Sequence, residues 1–96
     1  MTTIGIFRIK ESFNVTNRGI VAVGYFVEGR ASVGSVTIVE VDGNLTNVKV
    51  VGIEMGNLDA DGNHPIGLLL LFENKRVEEI VKLGKIKEQL VEIRIP

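Results

Sequence analysis

The chain has 96 residues, of which 45% are hydrophobic and 24% charged, and its formal net charge is −1. That length suffices for one core, and the balance of apolar to charged residues belongs to a folded domain, which excludes a disordered tail; the near-neutral charge excludes a strongly basic nucleic-acid binder. With no cysteine and one histidine, disulfide frameworks, thiolate zinc sites and cysteine nucleophiles are excluded as well.

The first ten residues lack the basic and apolar regions of a secretory signal. The longest apolar run, Ile66–Phe72, is too short to span a bilayer, so a cytoplasmic protein without membrane attachment is expected. β-branched residues gather in short stretches separated by glycine or polar residues, which predicts strands near 4–13, 19–28, 35–41, 47–55, 66–72 and 89–95. Gly29 and Gly34 flank a reversal over Arg30–Val33, expected to return the strand that ends at Glu28. Asp42-Gly43-Asn44 follows, between two Val-rich runs, and Asp-Gly supplies the positive φ angles of a two-residue hairpin turn. The segments Ser35–Val41 and Val48–Ile53 carry apolar residues on both alternating faces, more than a one-sided open sheet needs. Asn57–Pro65 has the composition of a loop. Arg76–Gly84 reads as the one helix, with Val77, Ile80 and Val81 at i, i+3 and i+4 and Gly84 as its stop. The fold class expected is all-β: a small closed antiparallel barrel of about six strands with a short helical turn near 76–84, as a single domain over 1–96.

Motifs for chemistry are incomplete. No phosphate-cradling P-loop is present, and Asn74-Lys75-Arg76 opens like a guanine-reading motif but continues with Val77, which cannot accept hydrogen bonds from a base. Guanine-nucleotide binding by this chain alone is therefore not expected. Asp59-Ala60-Asp61-Gly62-Asn63 begins like a calcium loop, yet the positions that need Gly and a bidentate Glu hold His64 and Leu70. His64 reads as a solvated loop residue. Ser12, Ser32 and Ser35 have only that one histidine to serve them as base, and adjacent Glu78 and Glu79 point about 100° apart on a helix. The sequon matches at Asn14 and Asn44 are read as chance. No cofactor, metal or catalytic residue is assigned, and the chain is expected not to be an enzyme.

From Phe7 the sequence runs through Asn17-Arg18-Gly19, Gly24, Gly29 and Val33-Gly34. Val51-Gly52-Ile53-Glu54-Met55, Ile66-Gly67-Leu68-Leu69-Leu70 and Val77-Glu78-Glu79-Ile80 follow, with Gly84 last. In order and approximate spacing this resembles the second, non-catalytic barrel of elongation factor Tu and related translation GTPases. The opening pattern of that family is close to F-x-I-x-D-V-F-x-I-x-G-R-G-T-V-V-x-G-x-V-x-x-G-x-I-x-V-G-D-x-V, and the likeness covers about residues 7–86. The glycines at 19, 24, 29 and 34 stand where a small barrel needs turns, bulges or close backbone approach, and Val33 and Val36 read as packing anchors. Departures include Asn17 for the usual Gly, Ile20 for Thr and Ser35 for Asp. The loop after Met55 is also shorter, with Asn63-His64-Pro65 interrupting the usual spacing.

The resemblance implies a binding module that contacts RNA, transfer or ribosomal, or a ribonucleoprotein. Glu54 matches the family glutamate near the terminal adenosine of transfer RNA, Arg18 matches the arginine of the turn, where it either contacts RNA phosphate or caps turn carbonyls, and Met55 is counted with them as an RNA-contact candidate. Gly56 falls where a larger side chain often completes that pocket. Lys75, Arg76, Lys82, Lys85 and Lys87 interleave with Glu73, Glu78, Glu79 and Glu88, which reads as a solvated mixed face. The alternative from another class is an assembly module that partners a translation GTPase or another protein chain. Basic small barrels of guide-RNA modification particles have a related architecture, but their frequent arginine-glycine tails are missing here.

Overall fold

The structure, a computed structural model, describes residues 2–57 and 60–96. Its elements in chain order are β1 (Thr2–Val15), β2 (Gly19–Gly29), β3 (Val36–Val41), β4 (Asn44–Met55), β5 (Ile66–Phe72), α1 (Lys75–Leu83) and β6 (Gln89–Ile95). The strands close into an antiparallel barrel in the order β1-β2-β5-β4-β3-β6. Alternation explains the interior: Phe7, Ile9, Val39, Val50, Leu68, Phe72 and Ile93 point inward and are buried. Phe26 packs edge-on against Phe7 with ring centroids 5.0 Å apart.

Turn chemistry sets the two short hairpins. Between β3 and β4, Asp42 and Gly43 take φ of 49° and 83°, and Val41 pairs with Asn44 across a two-residue turn. That tightness starts β4 at Asn44, earlier than the strand expected from 47. Between β1 and β2, Arg18 N–H donates to the Val15 carbonyl at 3.0 Å, and Asn17 sits at φ 65°. Asparagine is one of the few residues that tolerates this conformation, so it keeps the left-handed geometry a glycine there would adopt.

β1 is long and bends around the barrel. Its register against β2 slips between Ile6 and Phe7 and again between Ile9 and Glu11, the second slip leaving Lys10 as an extra residue. At that crossing the two backbones nearly touch: a Cβ on Gly24 would lie 1.8 Å from the Arg8 carbonyl oxygen.

Three local expectations are corrected. The reversal after Gly29 does not lay β3 beside β2; β5 takes that edge, and Arg30–Ser35 leads the chain across to pair with β4, where Gly34 N–H donates to the Val50 carbonyl and Val50 N–H to the Ser35 carbonyl, both at 2.8 Å. Glycines mark where a chain leaves a ladder and do not specify which strand it joins next. Val33 is 69% exposed and anchors nothing, whereas Val36 is half-buried in β3. On α1, Val81 is buried and Val77 packs against the core, but Ile80 is 41% exposed. A single short helix on a barrel presents only a narrow stripe, and the i, i+4 pair fills it.

Candidate functional site

The β2-β5-β4 order builds a shallow cleft on the outer wall. Gly67 of β5 pairs with Val23 on one side and with Glu54 on the other, so these three residues form one row across three strands. A glycine in the middle of that row leaves the wall hollow, since a Cβ there would come within 3.1 Å of Val21 Cγ1. Val21, Val23, Glu54, Met55, Gly56, Pro65 and Gly67 together line a cleft of about 160 Å³.

The hairpin turn brings Arg18 to the rim. Its guanidinium forms an ion pair with the Glu54 carboxylate, and the two side chains are 46% and 50% exposed. At such exposure the pair contributes little to stability, on the order of 0–1 kcal/mol. Its effect is to orient the carboxylate while leaving its second oxygen and the remaining guanidinium donors for a ligand.

All three residues expected at an RNA site therefore meet in one place. Arg18 and Glu54 touch, and Met55, 70% exposed, walls the cleft beside them. Gly56 is fixed by the returning loop: its N–H donates to the Pro65 carbonyl at 2.7 Å, and a Cβ there would lie 2.9 Å from Pro65 Cγ. A side chain at position 56 therefore does not fit unless Pro65 shifts. His64 Nδ1 lies 3.1 Å from the Gly56 carbonyl oxygen and is exposed.

No protein-family model, curated protein or solved structure matches this chain.

The remaining polar residues singled out in the sequence hold structure. Asn74 Oδ1 accepts from the N–H groups of Arg76 at 3.0 Å and Val77 at 3.2 Å, so the Asn-Lys pair that opens like a guanine motif is a helix N-cap. Ser12, buried, accepts from Ile86 N–H at 2.8 Å, and Ser35 Oγ donates to the Ser32 carbonyl at 2.5 Å. Among the described residues no cluster of His, Cys, Asp or Glu could hold a metal ion, and Asp59, the first residue of the calcium-like string, lies outside them. Lys75 and Lys82 both pair with Glu78 at 3.5 Å, Lys82 reaches Glu79 at the same distance, and Lys85 lies 5.4 Å from the Phe13 ring centroid. Lys75 and Lys82 are thus paired with carboxylates of their own helix, while Glu88 pairs instead with Arg8 and Lys10 of β1. Among the described residues no helix is long and apolar enough to cross a membrane.

Sequence reasoning missed the cleft walls Val21, Val23, Pro65 and Gly67. The signal available was the run Val21, Val23, Tyr25, three alternate β2 positions that all carry large, largely apolar side chains on the face opposite the buried Ile20 and Ala22.

Proposed function

We propose that the chain is a non-catalytic binding module, a barrel of the translation-factor kind, that holds the free 3′ end of an RNA in the cleft. The observation that carries this reading is the meeting of Arg18 and Glu54, far apart in sequence, at the rim of a cleft walled by Val21, Val23 and Met55. The chemistry divides naturally between them. A carboxylate repels phosphate, so Glu54 serves a ligand through a hydrogen bond to a ribose hydroxyl or a base donor, while the planar guanidinium of Arg18 suits a phosphate. Val23 and Met55 offer apolar surface to the face of a base. The ordered likeness to elongation factor barrels supports the same assignment.

The ion pair changes what single substitutions report. Arg18→Ala removes a phosphate contact and also releases Glu54 from its orientation. The test is a salt titration of wild type, Arg18→Ala, Glu54→Ala and the double variant against an RNA acceptor-stem mimic with a free or a blocked 3′ adenosine. Arg18→Ala is expected to weaken both RNAs and to lower the slope of log affinity against log salt by roughly 0.7–0.9. Glu54→Ala is expected to weaken only the free-end RNA, and the double variant to show less than the sum of the two losses. Wild type without salt-dependent affinity for either RNA would defeat the reading.

A second reading, an assembly module for a partner protein, is favoured by Ile38, Leu45 and Leu90, which stand exposed on the outer face of β3, β4 and β6. A stoichiometric protein that co-purifies with the chain, and is lost on Leu45→Glu, would put the function on that face.

A further inference from the structure

β2 carries its outward row past the cleft. Val21, Val23 and Tyr25 alternate along one face, each about 6.6 Å from the next. Val23 and Pro65, which wall the cleft, also wall a second hollow of about 410 Å³ with Lys10, Glu11 and Tyr25.

The bulge in β1 makes this hollow. Ile9 pairs with Gly24 and Glu11 with Val23, which leaves Lys10 unpaired between them. Alternation slips at that point, so Lys10 and Glu11 are both exposed between buried Ile9 and buried Ser12. A bulge re-aims a side chain in this way while both flanks keep their faces. Arg8 stands opposite Tyr25 in the ladder, outside the buried pair Phe7 and Ile9. Arg8 and Lys10 converge on one oxygen of Glu88, Nη1 at 3.4 Å and Nζ at 3.2 Å, and these side chains are 42–48% exposed. Two cations therefore share one carboxylate on the β6 side of β1, while Lys10 also lines the hollow and Arg8 pairs with Tyr25 on the β2 side. Cationic groups that follow a phosphate backbone, next to a ring on which a base can stack, are the chemistry by which proteins hold single-stranded nucleic acid.

We propose that this hollow takes the RNA nucleotide that precedes the 3′-terminal one, its base stacked on Tyr25 and its phosphate between Arg8 and Lys10. Glu88 is the internal competitor for that phosphate and is displaced when the RNA binds. Glu11, opposite Val23, repels phosphate and directs it toward Arg8 and Lys10. This inference rests on the RNA reading above, in which the neighbouring cleft holds the terminal nucleoside.

The test uses fluorescence anisotropy with RNA hairpins of one stem that carry 3′ overhangs of one or three nucleotides, each with a free or blocked end. Tyr25→Ala is expected to weaken the three-nucleotide overhang by roughly 5- to 100-fold, the effect of removing one stacked base, and to leave the one-nucleotide overhang within about twofold. Tyr25→Phe keeps the ring and the affinity. Glu88→Gln, which leaves the core untouched, tightens binding of the longer overhang and steepens its salt slope by roughly 0.7, as an uncompensated cation meets phosphate. If Tyr25→Ala and Glu88→Gln leave overhang dependence unchanged while Glu54→Ala still weakens only free ends, this proposal is wrong and the cleft reading survives. If the Tyr25 dependence is present but end discrimination is missing, the cleft reading falls and the hollow stands as a general single-strand site. Wild type that binds none of these RNAs overturns both.

Discussion

Two glycines that look alike in the sequence do different work. At Gly24 a Cβ would meet the Arg8 carbonyl oxygen at 1.8 Å, a clash with backbone that no side-chain rotation relieves. At Gly43 a Cβ would find nothing within 4 Å, and the constraint is the φ of 83° alone. Gly24→Ala is therefore expected to cost about 3 kcal/mol, as an overpacked site that forces strands apart. Gly43→Val is expected to cost about 1–2 kcal/mol, the strain of a β-branched residue at positive φ. Chemical denaturation of the two variants checks this order, and equal losses would show that β1 and β2 yield at Gly24 at no greater cost than the strained turn. Gly43 was legible because Asp-Gly lies between two Val-rich runs. The role of Gly24 was legible only in kind, since the carbonyl it avoids belongs to another strand whose register depends on two bulges. Ser12 was likewise visible as a serine without a base, but its partner, Ile86 N–H, is supplied by the segment after α1.

Among the elements, the seam between β3 and β6 is the least zipped. One ladder pair, Val36–Arg94, joins them, whereas β1 and β2 pair from Gly5–Gly29 to Val15–Gly19. Side chains supply the rest: the Gln89 carboxamide accepts from Glu40 N–H at 2.8 Å and donates to the Glu40 carbonyl at 3.0 Å, and the Thr37 hydroxyl donates to the Glu92 carbonyl at 2.6 Å. Gln89 thus gives β3 the two bonds that a neighbouring peptide unit gives elsewhere. Between these bridges lies a cleft of about 220 Å³ edged by Ile38 and Leu90. Gln89→Ala strands a partly buried donor and acceptor, so a loss of about 1–2 kcal/mol is expected. Native-state hydrogen exchange should show it locally, with the Glu40 amide losing protection while the β1–β2 amides fall only by the global change in stability. A uniform loss would show that the seam opens only when the whole barrel does. The strands themselves were readable from β-branched runs and glycines. Their order was not, because a hydrophobic pattern says which face of a strand is buried and leaves open which strand lies beside it.

At the scale of the whole molecule, the barrel was legible from apolar residues on both faces of short strands, whereas Arg18, Glu54 and Met55 were singled out only by their place in an ordered set of motifs. That they come together depends on β5 lying between β2 and β4, a non-local fact. The same architecture separates the electrostatics of folding from those of binding. Ion pairs among the described residues lie on the outside, each with at least one partner 36% or more exposed, and the formal net charge is −1. Exposed pairs of this sort are worth at most about 1 kcal/mol each, and salt screens repulsions together with attractions. Raising sodium chloride from 0.1 M to 1 M shortens the Debye length from about 10 Å to about 3 Å, yet the core is apolar and does not respond to screening. The free energy of unfolding is therefore expected to change by no more than about 1 kcal/mol over that range. On the proposed RNA reading, affinity over the same range is expected to fall steeply, in proportion to the phosphates that Arg18, Arg8 and Lys10 would neutralise. Urea denaturation and anisotropy titrations in the same buffers measure both quantities. If stability fell in parallel with affinity, the salt would be acting on the barrel itself, and the salt slope could no longer count phosphate contacts at the cleft and the hollow.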